Sequence, residues 1–182
     1  MERNVVLIAL FAALIGVLGL LPKLTLGFGV PVTAQSLGVM LCGTVLGARR
    51  GALAVLLFLL LVLLGLPLLA GGRGGLGVFV GPTAGFLAGF PVAAFVTGLI
   101  VEKTNRLPVL SASILGAVIG GIAVLYAFGI VGMALTLDKT LVEATLLITP
   151  FLAGDLVKAV LAGVITAAIA RARPASVLSR PS

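Results

Sequence analysis

Residues 144–170 read ATLLITPFLAGDLVKAVLAGVITAAIA, an apolar run interrupted only by Asp155 and Lys158. A helix needs about 20 mostly apolar residues to cross a hydrocarbon core roughly 30 Å thick. The run therefore predicts a transmembrane helix that carries two ionisable side chains inside the bilayer. Strands fit poorly, because a membrane barrel alternates polarity and this run is apolar on every face.

The rest of the chain repeats the pattern. Further charge-free stretches cover 4–22, 24–48, 51–72, 74–101 and 107–137. Together they predict helices over 5–21, 35–48, 51–68, 83–103, 109–131 and 145–171. The expected fold is an all-α integral membrane protein, a bundle of six transmembrane helices forming a single domain over 1–182. The stretch from Pro22 to Pro31 is read as a long, partly structured connection. The first run is longer than the usual ~7–15-residue signal-peptide core and follows a weakly basic start, so it is predicted as a retained helix.

Composition excludes the other broad classes. The chain is 61% hydrophobic, has 25 glycines and is only 9% charged, where soluble domains are about 25% charged. So few charges cannot cover a soluble surface, and neither disorder nor a coiled coil fits. There is no His, no Trp and one Cys, Cys42. A disulfide within the chain, a Ser–His pair and a Cys–His pair are excluded, and the usual zinc ligands are nearly absent. No P-loop pattern occurs, so ATP is not bound that way. An intramembrane aspartyl protease would need two facing aspartates, and only Asp138 and Asp155 exist.

The net charge of +7 reads as membrane topology rather than nucleic-acid binding, because the basic residues lie between apolar runs. Arg3, Arg49, Arg50, Lys103, Arg106, Arg171, Arg173 and Arg180 would share one side. Lys23, Arg73 and Lys139 would share the other. The richer side is predicted to be cytoplasmic, which places both termini there.

Asp155 and Lys158 are the sharpest chemical signal. A charge at a helix centre costs about 2.5–3.5 kcal/mol on insertion scales, and the i, i+3 spacing puts both on one face. They read either as a structural ion pair with Lys158 snorkelling, or as a polar ligand site facing the bundle interior. The run from Gly71 to Gly77 formally contains GxGxxG, but no strand–helix alternation surrounds it, so a dinucleotide site is rejected. It reads as a flexible turn or as a close-fitting ligand loop, with Gly74 and Gly75 permitting backbone approach and Arg73 available to an anion. Thr83, after Gly81-Pro82, starts the next helix. Ala9, Ala13 and Gly16 form a small-residue face for close packing, inside the bundle or against another membrane protein. Gln35, Thr33 and Tyr126 are polar groups that are unspecific alone.

Several stretches in order carry a family resemblance: 31–40 (PVTAQSLGVM), 46–51 (LGARRG), 65–72 (GLPLLAGG), 74–77 (GGLG), 81–86 (GPTAGF) and 149–158 (TPFLAGDLVK). The chain resembles the BioY family, the biotin-binding S component of energy-coupling factor (ECF) transporters, over nearly its whole length. Ala153 stands where many members have Pro, and Ala84 where many have Gly. The resemblance implies a six-helix bundle in a prokaryotic cell membrane that captures biotin from outside. It also implies a transmembrane coupling subunit and a pair of ABC ATPases as partners, with no cofactor and no enzymatic activity of its own. The substrate-binding set it predicts is Asp155, Lys158, Arg73, Gln35, Gly74, Gly75, Thr83 and Tyr126, and the coupling-subunit contact is Ala9, Ala13 and Gly16. The alternatives are an S component for another small vitamin or a stand-alone secondary transporter.

Overall fold

The computed structural model describes residues 2–21, 24–25 and 31–180. Lys23 and most of the Pro22-to-Pro31 connection lie outside them. The described ends of that connection pair as two short antiparallel strands, β1 (Leu24–Thr25) and β2 (Pro31–Val32), with Leu24 opposite Val32.

The rest of the regular structure is helical. In chain order come α1 (Glu2–Gly19), α2 (Gln35–Leu46), α3 (Ala48–Leu63), α4 (Ala84–Lys103), α5 (Val109–Thr136) and α6 (Leu141–Ala172). Among the described residues, α1, α4, α5 and α6 are long and apolar enough to cross a membrane. The 12 residues of α2 extend only about 18 Å at 1.5 Å per residue. That helix packs against α1, α3, α4 and α6 and is buried from Gly38 to Leu46 on every face. Its all-round apolarity therefore reflects a central position in the core rather than contact with lipid.

Helix ends depart from the predicted ones for local reasons. The α2–α3 boundary falls at Gly47, which takes φ 83°; a side chain there would run into the Glu102 carboxylate. Arg49 and Arg50 consequently lie in the first turn of α3 rather than in a loop. That helix stops at Leu63 instead of 68, because Gly65 turns left-handed at φ 101° and Pro67 cannot continue a helix. The last helix starts at 141 rather than 145, since Thr140 and Glu143 form a capping box that satisfies its first amides.

Inside α5, residues Ile119–Val124 form a π-helical segment. Gly120 rests there against the backbone of Ala93 and Thr97 in α4, where a side chain would not fit. One extra residue in the helical repeat rotates everything downstream by about 100°. The π segment thereby sets which way Leu125 and Tyr126 point.

Outward-facing positions are apolar along the bundle, with Leu53, Leu56, Leu60, Leu135, Leu146, Val157 and Val160 all exposed. Lipid is the solvent in which such a surface is stable. At one end, residues 174–180 fold back over the helices. Val177 is buried, the Ser179 amide donates to the Val45 carbonyl at 3.1 Å, and the Ser179 hydroxyl donates to Thr44 O. The Arg180 guanidinium donates to the carbonyls of Val101, Thr104, Asn105 and Leu107, closing the end of α4.

Candidate functional site

A cavity of about 630 Å³, including the space open at its mouth, lies between the start of α2, the glycine-rich loop, α4, α5 and α6. It is lined by polar groups on one side and by Leu69, Phe86, Leu87, Phe90, Leu125 and Phe151 on the other. Phe86 and Phe90 are one turn apart on α4. Phe151 is one turn before Asp155 on α6, so both reach the same space.

Four of the polar groups form one connected network. Lys158 Nζ donates to Asp155 Oδ1 at 2.8 Å, to Ser36 Oγ at 3.0 Å and to the Thr33 carbonyl at 2.7 Å. Ser36 Oγ donates to Asp155 Oδ1 at 3.0 Å, and Tyr126 OH donates to Asp155 Oδ2 at 2.7 Å. The pair is well removed from solvent, with side-chain exposures of 16% for Lys158 and 7% for Asp155. Burying two charges is costly unless they pair and their remaining valences are filled. Here all three ammonium protons have acceptors, and both carboxylate oxygens have donors.

The predicted residues divide by what their polar atoms do. Tyr126, Asp155 and Lys158 are brought together as above. Arg73 also lines the cavity. Its Nε donates to Ala70 O at 3.3 Å, while its terminal nitrogens make no hydrogen bond among the described residues. Thr83 lines the cavity from the start of α4 and makes no capping bond with its hydroxyl. Gln35 reaches the cavity wall, but its amide is taken up by backbone. Nε2 donates to Leu68 O at 3.1 Å and Ile15 O at 3.3 Å, and Oε1 accepts from Ala70 N at 3.1 Å. It ties α1 and the glycine-rich loop to α2.

Gly74 and Gly75 stand outside the lining. A side chain at Gly74 would collide with the Leu66 carbonyl, and Gly75, at φ 82°, donates its amide to Val62 O at 2.8 Å. They seat the loop on the end of α3, and the reversed pair Leu69–Arg73 then aims both of those side chains inward. The coupling-contact set is also split. Ala9 and Ala13 are exposed and free of the chain's own bundle, whereas Gly16 is buried beneath Leu68.

Ser36, Thr33 and the aromatic wall complete the site without standing in the predicted set. Helical spacing from Thr83 to Phe86 and Phe90, and from Phe151 to Asp155, was available as a signal. For Ser36 there was none, since a hydroxyl beside Gln35 carries no charge to mark it.

The arrangement suits a small amphiphilic molecule. One end needs donors and acceptors, the body needs apolar walls, and the terminal nitrogens of Arg73, which have no partner among the described residues, can meet an anion. A profile of the BioY family matches residues 2–175. A protein of Rhodobacter capsulatus named biotin transporter BioY is 58% identical, with 99% of this chain and 100% of that protein covered. A biotin transporter BioY of Rhizobium etli is 53% identical over 92% of each chain. Among solved structures, the S-component for biotin from an ECF-type ABC transporter superposes with a TM-score of 0.88 at 28% identity, covering 93% of this chain and 92% of that one.

Proposed function

The chain belongs to the BioY family, and from that premise we propose that the cavity is the biotin site of an ECF-type S component. The protein resides in the cell membrane as a multi-pass subunit, takes biotin as its substrate, and works with a coupling subunit and a pair of ABC ATPases. Those ATPases hydrolyse ATP; this chain binds and delivers the vitamin.

The observation that carries the site assignment is the self-satisfied network of Asp155, Lys158, Ser36 and Tyr126 facing an apolar wall. Biotin's ureido ring has two N–H donors and one carbonyl, so its donors fit the lone pairs left on the Asp155 carboxylate and the Tyr126 oxygen, and its carbonyl fits the uncommitted Thr83 hydroxyl. Its thiophane ring and valeryl chain lie along Phe86, Phe90 and Phe151. Its carboxylate goes to Arg73, because the protons of Lys158 already have acceptors in the protein while the ends of Arg73 do not. Gln35, Gly74 and Gly75 act as positioning residues for the loop, and Thr83 adds a hydroxyl at the wall.

The same reading holds that α1 to α6 form a six-helix membrane bundle, the short α2 enclosed within it, with both termini in the cytoplasm, supported by the distribution of basic residues. It also holds that Ala9 and Ala13, small and exposed, meet the coupling subunit by close backbone approach. Equilibrium binding of purified protein to biotin, thiamine and riboflavin tests the substrate. Binding of biotin alone is expected, and equal binding of all three would overturn it.

A further inference from the structure

A second concavity lies away from the biotin cavity and shares no residue with it. It encloses about 940 Å³ of open-sided space between the α2–α3 turn and the last turns of α4. Arg49 and Arg50 line its polar end, and Phe95 and Leu99, one turn apart on α4, line its apolar flank over the floor made by Leu46. Neither arginine makes a hydrogen bond or ion pair among the described residues. Glu102 is the one acidic group in the groove, and its Oε1 is committed to the Ala48 amide at 2.9 Å. Two guanidinium charges against one carboxylate leave the groove net positive.

Phe95 is 39% exposed on a helix apolar enough to span the bilayer. The groove thus presents cations at the end of a span and bare hydrocarbon along it. A soluble anion would meet the arginines but gain nothing from Phe95 and Leu99. A neutral lipid would cover the apolar flank but leave the groove's charge unmatched. We infer that this groove holds one anionic phospholipid, its phosphate at Arg49 and Arg50 and an acyl chain along Leu99 and Phe95. The inference requires only that the chain sits in a membrane, and it is independent of the biotin assignment.

The chain contains no tryptophan, so Phe95→Trp places a single fluorescent reporter in the groove. The full-length protein in neutral detergent would be titrated with brominated phosphatidylglycerol and brominated phosphatidylcholine. Each basic residue near an anionic headgroup contributes roughly a fivefold preference, so roughly thirtyfold is expected in favour of phosphatidylglycerol. Adding Arg49→Gln and Arg50→Gln should bring the two lipids to about equal potency, while Arg49→Lys with Arg50→Lys should retain most of the preference. Arg171→Gln with Arg173→Gln, outside the groove, should leave it unchanged. An unaltered melting temperature and a monodisperse gel-filtration profile confirm that each variant is folded. Equal quenching by both lipids, or a preference that survives the double Gln change, overturns the inference. Displacement of the lipid by glycerol phosphate would reduce the groove to a headgroup-only anion site. Lost copurification of the coupling subunit without any lipid preference would assign the groove to a protein contact instead.

Discussion

Lys158 donates to three acceptors at once, one of them the carbonyl of Thr33 at the entrance to α2. Replacing it with Met keeps the stem but leaves the buried Asp155 charge without its cation. Asp155→Asn keeps the shape and removes the charged acceptor of Tyr126 and Ser36. Each change is expected to weaken biotin binding by about 1.5–3 kcal/mol, the scale of a hydrogen bond to a charged group. Isothermal titration checks this, and folded variants with unchanged affinity would refute the site. Arg73→Gln tests the orientation separately. It should cost biotin about tenfold in affinity, roughly 1.4 kcal/mol, and leave biotin amide nearly unaffected. An equal loss for both ligands would place the carboxylate elsewhere. These charges were legible in the sequence because an ionised group in an apolar run is too costly to be accidental. The use of Gln35 was not. Its partners, the Ile15 and Leu68 carbonyls and the Ala70 amide, are brought to it only by the fold, and no local pattern announces a distant backbone group as a partner.

The glycine-rich loop and the π segment of α5 are the elements that shape the cavity. Loop residues Leu69 and Arg73 face inward, so hydrogen exchange over 69–79 should slow when biotin binds. Equal exchange with and without the ligand would count against a covering role. Gly71 and Gly72 take φ 82° and 69°, a region that costs a non-glycine residue about 1–2 kcal/mol. Gly71→Val is therefore expected to lower the melting temperature and weaken biotin together, read by thermal unfolding with and without the vitamin. A stable variant with full affinity would show that the loop tolerates another path. Helices were legible here as apolar runs, yet an apolar run does not mark where its helix begins or stops. The Thr140–Glu143 capping box and the Gly65-to-Pro67 break are the local signals that set two of those ends. The π segment had no such signal, because Gly120-Gly121 in a uniformly apolar stretch reads equally well as a regular helix.

At the scale of the whole molecule, Ala9 and Ala13 lie on the outside of α1, clear of the core formed by Phe11, Ala12 and Ile15. Ala9→Trp or Ala13→Trp is expected to leave biotin binding by the isolated protein intact while reducing copurification with the coupling subunit and ATP-driven uptake. Lost biotin binding in the isolated variants would return both alanines to internal packing. The fold-back of residues 177–180 has a different consequence, one of timing. Its hydrogen bonds close carbonyls on α2 and at the end of α4, and these residues leave the ribosome after every helix they fasten. Until then those carbonyls lack the donors of Ser179 and Arg180. A chain that ends before Ser179 is thus expected to keep every helix but leave that seam unfastened, and to melt at a lower temperature than the full chain in thermal unfolding.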